Sequence, residues 1–428
     1  MLLLPIWYIS TNTKLMEVFN VKKVTSAILA CLMVLMFLPI TAHATPPTMT
    51  VEQTYTNINI TKYWEKVERI RLNESNIGQE TFITDNQQSA SNIITEFGND
   101  ATPDSQLFLL HYADGWDTNT NPYPVLLVHG AGKTGDYFAD PEEDGSITGL
   151  EQALSSDGYK VFAITFAHPH GDNYIQREIL AAAIQRIKDV TGAEQVDVIA
   201  HSKGNMSARM YVSNVKESWG TAYRQDVRRY IQLGAPNGGI DYTFRNTWAA
   251  WGIMATGAYG CVPFTGMTIY GLWCNTAYHS IYDASEGGGA YPGQAQMLAR
   301  WDGTYALGAT EQDWYTCYYG GRGFYSYSYG INRAITEGGN LISILQQNPV
   351  DSSVQIATLA GNQNVIGGVV MENDGPSDGI VFVASATMTS PMTAGGATLL
   401  DCSVMSLNHV ELTYDPAAIS WVETQLSI

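Results

Sequence analysis

The chain has 428 residues, of which 45% are hydrophobic and 15% are charged, a globular composition with ample material for a core. Lys and Arg total 22 against 41 Asp and Glu, which gives a net charge of −19. Because so acidic a protein is repelled by nucleic acid and by anionic lipid headgroups, we expect a neutral binding partner and no nucleic acid.

The first 44 residues have the features of a signal peptide. Lys22 and Lys23 precede an apolar run over 24–40, and residues 42–44 form a small-residue cleavage site of the A-x-A type. The run is long for a signal sequence and marginal for a membrane-spanning helix. We predict cleavage after Ala44 and an exported protein, extracellular or periplasmic, without a stable membrane anchor.

Four cysteines follow the predicted cleavage site, and an even number in an exported chain is typical of disulfide bonding. Among the possible pairings we favour Cys261–Cys274 as a local loop and Cys317–Cys402 as a long tie. No C-x-x-C or H-x-x-x-H spacing indicates a zinc site. We therefore expect no metal and no organic cofactor.

The chain divides into a lead-in and a larger region with alternating patterns. Residues 45–106 are polar and predict an irregular lead-in with a strand or two. Over 107–428, continuous apolar runs predict buried strands at 124–130, 160–166, 195–200, 228–236, 354–361 and 402–407. Helical patterns lie at 149–159, 173–192 and 205–215, and Asp415-Pro416 opens a last helix. This alternation predicts an α/β fold, a mostly parallel sheet with helices on both faces.

An aromatic-rich insertion interrupts the alternation over about 239–339. Residues 241–330 hold 21 of the 47 Phe, Trp and Tyr residues of the chain but only 9 charged residues. Because the insertion follows the fourth predicted strand, we expect it to form a cap or lid over a binding site at the sheet edge. Its aromatic residues would supply an apolar wall for an acyl chain. A cap that merely packs on itself is the alternative.

The pentapeptide Ala-His-Ser-Lys-Gly at 200–204 lies between a predicted strand and a predicted helix. A strand that turns sharply into a helix holds the central serine at positive φ, and the crowding admits only small residues two positions away on either side. Ala200 and Gly204 satisfy that requirement. We predict Ser202 as a nucleophile lifted clear of the sheet, and we expect His201 to be structural and to point away from the Ser202 hydroxyl.

A second glycine-rich turn follows the strand at 124–130. A developing oxyanion requires backbone N–H donors fixed at the point where the charge forms. The residue after His129-Gly130 and the residue after the nucleophile are the expected pair, so we predict the amides of Ala131 and Lys203. An ordinary glycine-rich turn between strand and helix is the alternative reading.

The partners of the serine should follow it in the order acid, then histidine. His409 follows the last predicted strand, and it is the last histidine of the chain. The segment 371–386 offers three acids, of which Asp378 fits best because a turn glycine and apolar residues follow it. Asp374 is the second choice and Glu372 is the third, and a calcium-binding or simply solvated acidic loop is the alternative.

Together, residues 129–132, 200–204, 378–381 and 408–409 resemble the secreted bacterial lipases of the α/β-hydrolase fold. The turn at 200–204 between strand and helix is a nucleophile elbow whose first residue is alanine. In this it is similar to the elbow of the class 2 and Bacillus-type lipases. The resemblance implies hydrolysis of water-insoluble carboxylic esters by Ser202 as nucleophile, His409 as base and Asp378 as its orienting acid. Other functions stay open: an extracellular polyester depolymerase, an acyltransferase, and an inactive surface-binding module.

Overall fold

The fold is known from a computed structural model, which describes residues 45–82, 86–245, 291–308, 318–319, 321–322, 327–328 and 330–427. The predicted signal peptide lies outside the described residues. So do most of the aromatic insertion and three of the four cysteines predicted to pair, Cys261, Cys274 and Cys317. Cys402 is described, and it is a free cysteine there. The disulfides therefore stay a prediction.

The described residues form thirteen strands, and nine of these strands make up one sheet. The strands are β1 (Met49–Tyr55), β2 (Lys66–Leu72), β3 (Leu107–Tyr112), β4 (Val125–Val128), β5 (Val161–Phe166), β6 (Val196–His201), β7 (Val227–Leu233), β8 (Gly321–Arg322), β9 (Tyr327–Ser328), β10 (Gln355–Gly361), β11 (Val365–Ile366), β12 (Val369–Val370) and β13 (Thr398–Met405). The sheet order is β1-β2-β3-β5-β4-β6-β7-β10-β13. Pairing is antiparallel from β1 to β5 and parallel from β5 to β13. This mostly parallel sheet confirms the predicted α/β-hydrolase fold.

The helices of the described residues are α1 (Ile58–Thr61), α2 (Ser91–Glu96), α3 (Leu150–Ser156), α4 (Asn173–Thr191), α5 (Gly204–Val212), α6 (Tyr242–Arg245), α7 (Pro292–Ala295), α8 (Ile331–Glu337), α9 (Leu341–Gln347), α10 (Val383–Ala386), α11 (Ser390–Thr393) and α12 (Pro416–Ser427). The longest, α4, begins where the Asp172 carboxylate accepts a hydrogen bond from the Tyr174 amide and ends at Gly192 in a left-handed conformation. None of the described helices is long and apolar enough to cross a bilayer.

Alternating strand residues bury opposite faces of the sheet. On β4, Leu126 and Val128 join the core cluster that includes side chains of α4 and α5. Val125 and Leu127 join a second cluster, which includes side chains of α3 and α12. A strand buried on both faces needs an unbroken apolar sequence, which is why these strands could be located in the sequence.

The polar lead-in at 45–106 adds β1 and β2 to the antiparallel end of the sheet. It also buries Trp64 completely, and contacts join Thr45–Ile428 into one compact unit. The last strand differs from its predicted position, since β13 begins at Thr398 rather than 402. Because this edge strand pairs with β10 alone and stays partly exposed, its first half carries no apolar run.

Candidate active site

The elbow after β6 has the geometry that its sequence predicts. Ser202 has φ 54°, a left-handed value that is costly for a residue with a side chain. Its amide donates to the carbonyl oxygen of Leu233 at 3.0 Å, and the Asn205 side-chain amide donates to the carbonyl oxygen of Ala200 at 3.0 Å. Ser202 is partly exposed while its neighbours His201 and Lys203 are buried, so the turn presents the serine.

The glycine turn after β4 lies directly against the nucleophile. A β-carbon placed on Gly130 would come within 2.8 Å of the Ser202 β-carbon, so only glycine permits this approach. Within the described part of the chain, the amides of Ala131 and Lys203 donate to no acceptor. Both predicted donors therefore border the serine with their hydrogen-bonding capacity unused.

His129 holds this turn in place. Its Nε2 accepts a hydrogen bond from the Phe166 amide at 3.2 Å, so the ring proton lies on Nδ1, which donates to the carbonyl oxygen of Gly130 at 2.8 Å. Burial lowers the pKa of His129 to about 4, which keeps the imidazole neutral. Sequence reasoning used His129 only as part of a motif and missed this role.

Asp378 and His409 form a buried pair. The Asp378 Oδ2 atom lies 2.7 Å from His409 Nδ1, and Asp378 Oδ1 accepts from the amides of Ile380 and Val381 at 3.0 and 2.8 Å. The His409 amide donates to the Asp378 carbonyl oxygen at 2.8 Å. His409 Nε2 is buried and has no hydrogen-bond partner among the described residues. One ring nitrogen is thus anchored, and the other is left for a further group.

Ser202 and His409 both lie beside the end of β7. Leu233 accepts the Ser202 amide, and a β-carbon on the next residue, Gly234, would lie 3.0 Å from His409 Nδ1. His201 completes the link, because its Nε2 donates to the His409 carbonyl oxygen at 2.9 Å and the two rings lie 4.7 Å apart. Serine, histidine and acid therefore lie at one edge of the sheet.

His201 is neutral, since burial keeps its pKa well below the usual value. Its ring also stacks on Tyr137 at 5.5 Å. The expected structural role agrees with these contacts, and the side chain fixes the backbone of His409.

The other candidate acids lie elsewhere. Asp374 Oδ2 pairs with Arg245 Nη1 at 2.7 Å, and the Glu372 carboxyl lies 3.9 Å from Arg245 Nε. Burial raises the pKa of Glu372 to about 8. Of the three acids considered, Asp378 is therefore the one that the structure brings to His409.

Within the described ranges, no group of three or more His, Cys, Asp and Glu side chains is placed to hold a metal ion. A cavity of about 600 Å³ is lined by residues from 146 to 148 and from 414 to 423. A second cavity of about 420 Å³ lies against Trp301 and Met388. Neither is lined by Ser202, Asp378 or His409, and the predicted acyl wall belongs to the insertion, mostly outside the described residues.

Comparisons with known proteins show which family the chain resembles. Residues 122–285 match the family model described as lipase (class 2). This range holds the predicted nucleophile and both predicted amide donors, although it is less than half of the chain and ends before Asp378. Over residues 122–285 the chain is therefore similar to the class 2 lipases. The predicted resemblance to this family is confirmed.

Two curated relatives are triacylglycerol lipases. The one from Pseudarthrobacter phenanthrenivorans is 32% identical over 123 residues, 28% of this chain and 35% of the relative. The one from Burkholderia plantarii is also 32% identical over 123 residues, 28% of this chain and 31% of the relative. The chain thus spans about a third of the length of the curated relatives it matches.

Solved structures with a similar fold include a lipase of Bacillus licheniformis in mature form, with a TM-score of 0.44 and 15% identity. That likeness covers 74% of this chain and 98% of the lipase. A thermostable carboxyl esterase of Bacillus coagulans matches with a TM-score of 0.40 and 11% identity, over 75% of this chain and 92% of that one.

Proposed function

We propose that the protein is a secreted serine hydrolase that cleaves neutral, water-insoluble carboxylic esters through an acyl-enzyme. The arrangement at the sheet edge supports this most directly. His409 is held by Asp378 through Nδ1, and within the described ranges its Nε2 has no hydrogen-bond partner. The strained Ser202 turn lies beside the same strand end. Such a histidine is set up to take a proton from the serine hydroxyl.

Acylation follows from these positions. His409 Nε2 accepts the Ser202 proton as Oγ attacks the ester carbonyl carbon, and the carbonyl oxygen becomes an oxyanion. The amides of Ala131 and Lys203 stabilise that charge, each donor contributing about 3–4 kcal/mol in enzymes of this kind. The intermediate collapses when the carbon–oxygen bond to the alcohol breaks, and His409 returns its proton to the departing alcohol.

Deacylation repeats the sequence with water. His409 takes a proton from a water molecule, the resulting nucleophile attacks the acyl carbonyl, and the acid leaves as Ser202 regains its proton. Throughout, Asp378 stabilises the positive charge that His409 carries between the transfers.

A neutral lipid ester suits the composition of the chain. The net charge of −19 disfavours anionic substrates. The aromatic insertion supplies apolar surface without a comparable number of charges. The charge and the apolar content of the chain therefore both favour a neutral lipid ester. The relatives named as triacylglycerol lipases agree with this substrate class.

Ester hydrolysis is tested with a chain-length series of p-nitrophenyl esters on the wild-type protein and on Ser202→Ala. We expect the variant to lose at least about a thousandfold in kcat. A serine-directed organophosphonate should label the wild type, and mass spectrometry should locate the label on Ser202. Retained hydrolysis in Ser202→Ala would assign the nucleophile to another residue.

The lipid substrate is tested by acid release from emulsified triacylglycerol and from an aliphatic polyester film. We expect faster release from the emulsion. Faster release from the film would favour a depolymerase instead, with the same three residues acting.

Export is tested by recovering the protein from the medium or periplasm of an expressing bacterium. Because the predicted cleavage follows Ala44, we expect the N-terminal sequence to begin at Thr45. A recovered chain that still carries the residues before Thr45 would contradict the signal peptide.

A further inference from the structure

Lys203, the residue after the nucleophile, has an unusual side-chain environment. It is 1% exposed, although lysine is almost never fully buried without a partner. Its ammonium donates to the side-chain oxygen of Gln176, near the start of α4. Burial lowers the pKa of Lys203 to about 7. The turn at Ser202 does not require a lysine at this position, so the buried side chain needs a separate explanation.

Two buried acids act on this ammonium, Glu80 of the lead-in and Asp172, the cap residue of α4. Burial raises the pKa of Glu80 to about 8, and the charge of Lys203 opposes that shift. The two acids are connected, because the Glu80 carboxylate accepts a hydrogen bond from the Asp172 amide at 2.6 Å. Lys203 therefore lies in a buried cluster with two acids and one amide side chain.

The far side of the cluster is closed by the segment that returns from the aromatic insertion. A β-carbon on Gly293 would lie 2.7 Å from Lys203 Nζ, so this backbone rests directly on the lysine. Gln296 holds the same segment down by donating to the Asp172 carboxylate at 2.9 Å. The Asn173 side chain also donates to the Gly293 carbonyl oxygen at 3.0 Å. The lysine side chain is thus fixed at its tip and along its stem.

We propose that Lys203 is a positioning residue, whose anchored side chain fixes the backbone amide that it presents to the oxyanion. This proposal rests on the proposed function of Ser202. The amide and the side chain belong to one residue, so restricting one end restricts the other. An oxyanion donor that is displaced by about 1 Å loses much of its effect, since a misplacement of that size can cost about 100-fold in rate.

The test must separate positioning from stability, because Lys203→Met alone removes the basic partner of two buried acids. The double variant Lys203→Met with Glu80→Gln removes one base and one acid together and keeps an acceptor for the Asp172 amide. We expect its urea unfolding midpoint to recover relative to Lys203→Met. Its kcat should still fall by about 10- to 100-fold, while KM changes little, because the donor acts on the transition state.

A second variant reaches the same lysine without removing a charge. Gly293→Ala places a β-carbon 2.0 Å from the Gly171 carbonyl oxygen and 2.3 Å from Lys203 Cε, so the returning segment must shift away from the lysine. We expect a kcat loss in the same direction with KM retained. Lys216→Met is the matched control, because that ammonium lies at the surface on the Glu217 carbonyl oxygen. Wild-type kcat in both the double variant and Gly293→Ala would overturn the positioning role, with the proposed function intact. A wild-type protein that hydrolyses no ester would overturn both proposals.

Discussion

Two buried carboxyl groups in this molecule are accommodated in opposite ways. Asp378, at the parallel end of the sheet, accepts hydrogen bonds from two backbone amides and pairs with His409. Glu96, in the lead-in at the antiparallel end, is fully buried, and neither of its oxygens has a hydrogen-bond partner among the described residues. Asp136, whose charge acts on Glu96, already accepts from Trp64 and Asn92.

The difference shows what burial alone does to an acid. Desolvation and the neighbouring Asp136 raise the pKa of Glu96 to about 9, so it is a neutral acid in the folded protein at neutral pH. Asp378 is equally inaccessible, but its donors compensate the loss of water. The fold thus supplies hydrogen-bond partners around the proposed catalytic acid, and it supplies none to Glu96 among the described residues.

Replacing the Asp378 carboxylate by an amide should have the largest effect on the protein. In Asp378→Asn the Oδ1 contacts to Ile380 and Val381 can persist, but the new amide would donate to His409 Nδ1. His409 would then carry its proton on Nε2 and be unable to accept one from Ser202. We expect kcat for ester hydrolysis to fall about 10⁴-fold with little change in the unfolding midpoint.

Asp374→Asn is the matched control for that experiment. Its carboxylate pairs with Arg245 rather than with His409, so kcat should stay close to the wild-type value. Equal losses in both variants would remove Asp378 from its proposed role.

A third group of acids has a buried cation as its partner instead of backbone amides. Arg245 is 1% exposed and pairs with Asp241 at 2.9 Å and with Asp374 at 2.7 Å. Arg245→Met leaves these carboxylates without their cation, and we expect a loss of about 3–5 kcal/mol in the free energy of unfolding.

Urea unfolding measures the change, with Arg300→Met as the control. Arg300 is exposed and pairs with Asp302 at the surface, so its loss should cost less than about 1 kcal/mol. Similar losses in the two variants would mean that burial of the pair has no special consequence.

The parts of the site that could be predicted from the sequence are those with local signals. The Ser202 turn follows from small residues at fixed spacing between an apolar strand and a helix. The glycine turn before Ala131 follows from the strand at 124–130. Buried parallel strands also carry unbroken apolar runs, which is why their positions along the chain could be predicted before the structure.

The remaining features depend on contacts between distant residues. Glu80 and Gln176 lie far from Lys203 in sequence, so no local sequence pattern around the lysine indicates its buried partners. Choosing Asp378 over Asp374 was a preference until Arg245 was seen beside the second acid. The lead-in appeared irregular because its strands join the edge of the sheet and are only partly apolar.

The last expected effect is on the pH dependence of stability, and it comes from removing the acid that has no hydrogen-bond partner among the described residues. Between about pH 4.5 and 9 the unfolded chain has lost the Glu96 proton and the folded chain retains it. The stabilisation present below that window is therefore lost as pH rises through it. In Glu96→Gln this decline should shrink by an amount on the order of a few kcal/mol, because the side chain no longer ionises. Urea midpoints at pH 5, 7 and 9 measure the decline, with exposed Glu65→Gln as the control. An undiminished decline in Glu96→Gln would mean that Glu96 is hydrated or paired in solution.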